Sequence, residues 1–176
     1  NFLVFLPYEG FDIWKYDTLT GEWTVDKITI LNLYKNLGTA AYGNIAYSCV
    51  YFNGCLWIVT GCSDYLLKYN VNTGESELHK NGVDKYVYTY ITADENRLYL
   101  LDNINNIIAI TNDGIDCMVI KIQTSLIKKY WNTENGELCL FKAVLNVGNY
   151  IVLIPAFSDT FIKINKITNE QSAINT

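Results

Sequence analysis

The chain has 176 residues, a net charge of −5 and a pI near 4.8, and half of its residues are hydrophobic. The length and apolar content suffice for one domain with a sizeable core, and the 14% aromatic content is not that of a disordered chain. The acidic balance argues against nucleic acid and an anionic membrane surface as partners, because clustered Lys and Arg bind both.

The predicted elements are strands, and they recur in four similar units along the chain. Residues 2–7 and 12–22 align without a gap with residues 55–60 and 65–75, and the same register returns at 151–155 and 160–170. A looser copy with one-residue slips runs from Leu98 to Gly114. Repeats spaced by roughly 40 to 53 residues are typical of propeller blades and similar arrays.

Each unit contains an apolar strand, a short loop, an alternating strand, a glycine-containing turn and a further strand. In the second unit, residues 56–59 form a continuous apolar run, and residues 65–69 alternate with period two. An additional strand precedes each later unit. The first of these strands ends at Asn53-Gly54, a dipeptide that suits a type I′ hairpin. Four antiparallel strands in each repeated unit indicate an all-β fold, the β-propeller.

The sequence predicts one β-propeller domain over residues 1–176, made of about four four-stranded antiparallel blades. The blades are expected at roughly 1–30, 44–80, 86–122 and 137–175. The first unit lacks its opening strand, so fifteen strands are predicted where a closed four-bladed ring needs about sixteen. We therefore expect the chain to be part of a larger ring of about six to eight blades, with an N-terminal portion outside this sequence. Two copies completing one ring is the alternative.

Two predicted connections, residues 31–43 and 123–136, are longer than the others. In the second, residues 124–131 suit either one or two helical turns or an irregular loop. Both segments join the last strand of one blade to the first strand of the next. In a propeller these crossings share a rim with the loops between the second and third strands.

The turns after the alternating strand of the first two units resemble those of Kelch-type and quinoprotein-like propellers. Residues 16–23 (Tyr-Asp-Thr-Leu-Thr-Gly-Glu-Trp) and 69–75 (Tyr-Asn-Val-Asn-Thr-Gly-Glu) carry the Asp or Asn and the Thr-Gly pair that these families place there. The Gly-Gly pair of Kelch blades and the Trp-Asp ending of WD blades are absent, and the cofactor-binding residues of quinoprotein enzymes are not found. The segments Phe5-Leu6-Pro7 and Leu153-Ile154-Pro155 also resemble uncharacterised bacterial propellers. That likeness implies the fold and no function.

The candidate ligand-binding residues lie in the loops between the second and third strands, which share one rim around the central channel. Five acids in these loops are placed to converge on a cation or a basic ligand: Glu9, Asp12, Asp64, Asp102 and Asp159. Aromatic residues suit sugar rings or peptide side chains: Tyr8, Phe11, Phe157 and, in the second long connection, Trp131. The competing interpretation is that Asp suits tight turns and that the aromatic rings fill gaps between blades.

We expect a non-catalytic binding module or scaffold that holds a protein, peptide or glycan on this rim. The first alternative is a glycan-cleaving enzyme, a hydrolase or a lyase, that uses two of the rim carboxylates. The second is a structural or assembly fragment without its own ligand. His79 is the only histidine, so neither a His-rich metal site nor a Ser-His-Asp triad with a spare base is expected, and no cofactor is predicted.

Several repeated or apolar residues are interpreted as scaffold. Lys15, Lys68 and Lys163 share one repeat position and are expected to lie along a blade with their ammonium groups in water. Trp14, Trp57 and Tyr69 are assigned to packing between blades. The five cysteines show no CxxC spacing and are expected to be buried free thiols, which favours a reducing, cytoplasmic compartment without establishing it.

Overall fold

A computed structural model describes residues 2–6, 12–27, 46–60, 65–80, 88–102, 106–111, 117–127, 140–156 and 159–175. These residues form fifteen strands, as the repeat predicts, and one short 3-10 turn at Thr124–Leu126. The turn lies in the segment for which the sequence left helical turns and a loop open; residues 128–131 of that segment lie outside the described ranges. No helix within the described ranges is long and apolar enough to cross a membrane.

The strands form four antiparallel sheets in chain order, which we call blades 1 to 4. Blade 1 has three strands: β1 (Phe2–Phe5), β2 (Asp12–Asp17) and β3 (Trp23–Lys27). Blade 2 contains β4 (Ala46–Phe52), β5 (Cys55–Thr60), β6 (Tyr65–Asn70) and β7 (Ser76–Lys80). Blade 3 contains β8 (Tyr88–Ala93), β9 (Arg97–Asp102), β10 (Asn106–Thr111) and β11 (Cys117–Lys121). Blade 4 contains β12 (Phe141–Val147), β13 (Tyr150–Pro155), β14 (Thr160–Asn165) and β15 (Gln171–Asn175).

Consecutive blades stack face to face, and each of the three interfaces has its own hydrophobic core. Ile13 of blade 1 packs on Leu56, Ile58, Leu67 and Tyr69 of blade 2. The opposite face of blade 2, including Trp57 and Val59, packs on Leu98 and Leu100 of blade 3. Blade 3 in turn packs through Tyr99 and Leu101 on Ile151 and Leu153 of blade 4. We call the side of a blade that faces the next blade its leading face and the other side its trailing face.

The first strands of blades 2 to 4 lie closest to one another, and β8 contacts both β4 and β12. They are therefore the innermost strands of the stacked blades. Each of them has a bulge near its start, between Ala46 and Ser48, between Tyr88 and Tyr90, and between Phe141 and Ala143. A bulge bends and twists a strand locally. Its recurrence at one repeat position means that the sequence repeat extends to the backbone irregularities.

The turns have the backbone conformation that their residues predict. Asn53 and Gly54 both have positive φ, 48° and 77°, as a type I′ hairpin requires. In the outer turns, the side-chain oxygen of Asp17, Asn70 or Asn165 accepts hydrogen bonds from the backbone amides two and three residues later. These acceptors hold the turn between the third and fourth strands.

Three expectations about scaffold residues are wrong in part. Trp57 and Tyr69 are buried between blades, but Trp14 is exposed because no described blade covers the trailing face of blade 1. Lys15 does not place its ammonium group in water; it is buried at the interface of blades 1 and 2, beside a carboxylate. Of the three cysteines whose environment is described, Cys55 is a buried free thiol, whereas the free thiols Cys49 and Cys117 lie at the surface.

Candidate functional site

Three of the nine predicted site residues are described: Asp12, Asp102 and Asp159. The other six lie outside the described residues: Tyr8, Glu9, Phe11, Asp64, Trp131 and Phe157. The rim is therefore seen only at the ends of the strands that support it. The three acids belong to blades 1, 3 and 4 and adopt two distinct environments.

Asp102 is a buried residue at the end of β9 that holds the following loop through hydrogen bonds. Its exposed fraction is 0%, and its two carboxylate oxygens accept hydrogen bonds from Asn106, one from the backbone amide at 2.6 Å and one from Nδ2 at 2.7 Å. Both bonds cross the loop between the second and third strands of blade 3. A carboxylate held in this way fixes the base of the loop, since a buried acceptor without a donor would be costly.

Asp12 and Asp159 are exposed, in contrast to Asp102. Asp12 begins β2, and Asp159 directly precedes β14, which is the strand equivalent to β2 in the repeat, so each carboxylate lies where its loop enters that strand. Asp159 accepts a hydrogen bond of 2.9 Å from the hydroxyl of the buried Thr160. These two acids present negative charge on the rim of blades 1 and 4.

A polar cluster that sequence reasoning missed joins blades 1 and 2. The Lys15 ammonium lies 2.7 Å from Asp26 Oδ2, and the Tyr69 hydroxyl of blade 2 donates a short hydrogen bond to the same oxygen. The hydrogen bonds from Lys15 and Tyr69 lower the pKa of Asp26, whereas burial and the Asp26 carboxylate raise the pKa of Tyr69. Lys15 shares its repeat position with Lys68 and Lys163, and this repetition was the signal in the sequence. Asp26 has no acidic counterpart in the other units, so the sequence did not reveal that the two residues pair.

A second cluster of the same three residue types joins blades 3 and 4. Asp94 Oδ2 accepts a hydrogen bond of 2.9 Å from the Tyr99 hydroxyl and lies 3.2 Å from the ammonium of Lys166 in blade 4. Burial raises the pKa of Asp94, but hydrogen bonds from Asn96, Tyr99, Lys166 and Arg97 outweigh it and lower the pKa overall. The pKa of Tyr99 rises to about 12 through burial and its bond to Asp94.

A cleft of about 400 Å³ opens on the leading face of blade 2, at the outer end of the sheet. Lys68 and Glu77 line it and form an ion pair at 2.7 Å, and the Lys68 ammonium lies 5.6 Å from the centre of the Trp57 ring. His79 packs edge-on against the same Trp57, and burial lowers its pKa. Lys68 therefore already interacts with the Glu77 carboxylate and the Trp57 ring. We interpret the cleft as part of the blade surface, with a solvent-exposed ion pair.

The trailing face of blade 1 carries an exposed aromatic cluster, which we call the aromatic face. It consists of the exposed Phe5, Trp14 and Trp23 and the half-buried Tyr16, with the exposed Leu3 beside them. The Trp23 ring lies 5.0 Å from Tyr16, 5.3 Å from Phe5 and 6.4 Å from Trp14, measured between ring centres. Exposed contiguous apolar surface of this kind is typical of an interface. Among the described residues, no group of three or more His, Cys, Asp or Glu side chains is placed to hold a metal ion.

No protein-family model matches the chain, and no curated protein sequence matches it. Solved structures do. A nidogen/laminin complex contains a chain that superimposes with a TM-score of 0.67 at 10% identity, over 99% of this chain and 60% of that one. The virginiamycin B lyase of Staphylococcus aureus, in a catalytically inactive form with quinupristin, gives a TM-score of 0.63 at 14% identity, over 98% of this chain and 55% of that one.

The four stacked antiparallel sheets and these neighbours establish that the chain is a β-propeller, as the internal repeat predicts. At such low identities the likeness extends to the fold alone. The chain spans about 60% and 55% of the length of the two propeller chains it matches.

Proposed function

We propose that the chain is a non-catalytic propeller module that binds a protein or peptide on the rim formed by the loops between the second and third strands. The observation that carries the proposal is that the rim acids have different environments. Asp102 is buried and braces its loop through Asn106, while Asp12 and Asp159 expose their carboxylates. A braced rim with outward carboxylates suits a partner with basic side chains, because complementary charge orients and accelerates association.

The fixed position of Asp102 favours binding over catalysis. A glycan-cleaving enzyme needs two carboxyl groups about 5 to 10 Å apart across a pocket, one of them able to exchange a proton with the substrate. Both oxygens of Asp102 are occupied by Asn106, and the side chain is buried. The enzyme alternative therefore needs Asp12, Asp159 or the acids outside the described ranges, Glu9 and Asp64.

The structural neighbours support both a binding function and an enzymatic function. One neighbour comes from a complex between two proteins, nidogen and laminin, which supports a protein partner. The other is a lyase bound to quinupristin, which keeps the enzyme as the second candidate. A glycan ligand, the Kelch-type likeness of the turns, a bacterial origin and membership of a larger ring remain predictions.

The rim proposal can be tested with a displayed library of random peptides selected on the wild-type protein. Asp12→Asn combined with Asp159→Asn should weaken the selected peptides at least tenfold, because it removes two exposed negative charges. The control is Glu22→Gln combined with Glu95→Gln, which makes the same charge change in turns of the opposite rim. The control should bind within about twofold of wild type.

Equal binding by the rim variant and the control would overturn the proposal. Cleavage of a polysaccharide panel by the wild-type protein, abolished by either single rim substitution, would establish the enzyme instead. The basic residues of the selected peptides provide an internal check, since replacing them should cause the same loss as the rim variant.

A further inference from the structure

His79 occupies in blade 2 the repeat position that Asp26 occupies in blade 1. The two units align here without a gap, and the strand register agrees, since Asp26 pairs with Ile13 and His79 pairs with Leu66. Both side chains lie on the leading face of their blade. The acid that blade 1 presents to the next blade is therefore replaced in blade 2 by an imidazole.

The receiving position in the next blade changes as well. The Tyr69 hydroxyl of blade 2 donates a hydrogen bond to Asp26, whereas Ile110 takes the position of Tyr69 in blade 3. Tyr69 pairs with Leu56, and Ile110 pairs with Leu98 at the same repeat position. Because Ile110 has no polar group, the imidazole meets no counterpart of the tyrosine hydroxyl across the interface of blades 2 and 3.

Two ring nitrogens on this face of blade 2 are buried without a hydrogen-bond partner among the described residues, His79 Nε2 and Trp57 Nε1. The two rings pack edge-on with their centres 5.3 Å apart. Leu66, which pairs with His79 across the β6–β7 ladder, is fully buried in the core that blades 2 and 3 share, and Trp57 belongs to the same core. His79 therefore lies at the margin of an apolar interface with one nitrogen unsatisfied.

Proton uptake by this imidazole is unfavourable while the interface is closed. Protonation makes both ring nitrogens donors and adds a positive charge, which then lacks both water and an acceptor at Nε2. Burial lowers the pKa of His79, and two neighbouring charges act in opposite directions, Glu77 raising it and Lys68 lowering it. The penalty disappears when the two blades separate far enough for water to reach Nε2.

Charged and titratable groups face His79 from both blades. Those on the leading face of blade 2 are Cys55, Lys68, Glu75 and Glu77, and those on the trailing face of blade 3 are Asp102, Cys117 and Lys121. His79 is the only histidine of the chain, and imidazole is the side chain whose ordinary pKa puts its charge change near neutral pH. The cleft lined by Lys68 and Glu77 brings solvent to the edge of this cluster.

We propose that the interface of blades 2 and 3 is a proton-controlled seam, in which proton uptake by His79 favours an opened arrangement that exposes His79 and Trp57 to water. The stabilisation of the closed seam is fully present above the ordinary pKa of 6.5 and is lost as the pH falls from there through the lowered pKa of the closed state. Asp26 and Asp94 link the blades at the two other interfaces, and their pKa values are lowered, so they stay charged over this range. The seam does not depend on the binding function proposed for the rim.

Cys55 provides the readout, because it is a buried free thiol in the core that blades 2 and 3 share. The chain is treated with a pyridyl disulfide, which still reacts with thiols in mild acid, and labelling at Cys55 is followed by mass spectrometry. Each rate is divided by the rate of an unstructured cysteine peptide at the same pH. This relative rate should rise at least threefold from about pH 7.5 to about pH 5.5, and linkage to one proton limits the rise to about tenfold.

Three variants assign the response to a residue. His79→Gln keeps a polar side chain that does not titrate, so its relative rate should stay within about twofold over the same range. His79→Phe makes the same test with an aromatic ring beside Trp57, should glutamine prevent folding. Glu77→Gln is the matched control on the same strand and face, and it should keep the pH response because the carboxylate only favours the protonated imidazole.

A relative rate at Cys55 that does not change with pH overturns the proposal, and so does an equal change in the His79 variants. Loss of the response in Glu77→Gln would assign it to the carboxylate and would also overturn the proposal. Hydrogen exchange in β13 and β14 separates opening of the seam from unfolding of the chain. Amide protection factors there should be the same at both pH values, and a loss equal to that at Cys55 would show global unfolding in place of a seam.

Discussion

Blades 1 and 3 are built from the same repeat, yet their trailing faces differ completely in exposure. One repeat position lies in β1 of blade 1 and in β5, β9 and β13 of the other blades. There the exposed fraction is 52% for Leu3, 7% for Leu56, 1% for Leu98 and 1% for Ile151. All four side chains point to the trailing face. Blade 3 is covered by blade 2, whereas no described blade covers blade 1. Burial at this position therefore depends on whether a neighbouring blade covers it.

The repeat therefore encodes a sheet with two apolar faces, whether or not a neighbouring blade covers them. The trailing face of blade 1 even carries more aromatic surface than its counterparts, through Phe5, Trp14 and Trp23. Aromatic residues dominate interface energies when they become buried. The comparison between covered and uncovered faces can be tested by substitutions in matched positions.

The largest expected effect concerns the matched leucines. Leu98→Ala should lower the free energy of unfolding by about 2–5 kcal/mol, because it leaves a cavity in the core between blades 2 and 3. Leu3→Ala should change it by less than about 0.5 kcal/mol, because half of that side chain is already in water. Urea unfolding followed by circular dichroism measures both values. Similar losses in the two variants would mean that blade 1 is covered in solution.

The next effect concerns a polar anchor of blade 1 on blade 2, the cluster of Lys15, Asp26 and Tyr69. Asp26→Asn should destabilise the protein by about 1–3 kcal/mol, since it removes the carboxylate that Lys15 and Tyr69 share. Hydrogen exchange should speed up in β1–β3 and stay unchanged in β8–β11. Uniform acceleration across all blades would show instead that the blades unfold as one unit.

This anchor also gives a pH dependence with a defined sign. The folded-state pKa of Asp26 lies below its ordinary value of 3.8, so its contribution is fully present above about pH 5 and is lost as the pH falls through the folded pKa. The difference in unfolding free energy between wild type and Asp26→Asn should therefore be constant from about pH 5 to 7 and shrink below about pH 4. A difference that grows on acidification would contradict the assignment.

The smallest effect compares two equivalent outer turns. Gly21 and Gly74 both have φ of 76°, so alanine at either position should cost about 1–2 kcal/mol through backbone strain. An alanine Cβ at Gly74 would also lie 3.2 Å from the Asp26 carboxylate, whereas at Gly21 the nearest atom is 3.8 Å away. Thermal unfolding should therefore give a larger loss for Gly74→Ala. Equal losses would mean that the Asp26 side chain moves aside freely.

Much of the fold was predictable because it depends on local chemistry. The hairpin at Asn53-Gly54 and the fifteen strands follow from turn residues and from period-two alternation, which act within a few residues. The candidate site was less predictable. That Asp102 is a buried brace depends on Asn106 four residues away, and the same residue type at Asp12 and Asp159 remains exposed. A loop Asp has no sequence signature that separates these two environments.

The amino-acid sequence is sufficient to predict the repeat, the strands and the pairing within each blade, because hydrogen bonds and side-chain alternation connect residues close in the chain. Which faces are covered is visible only once the blades are stacked. Stacking buries Lys15 against Asp26 and Tyr69, and it leaves Trp14 exposed on the trailing face of blade 1. Those outcomes depend on contacts between blades some 40 to 50 residues apart, where the presence of a neighbour, and not the residue's own hydrophobicity, sets its environment.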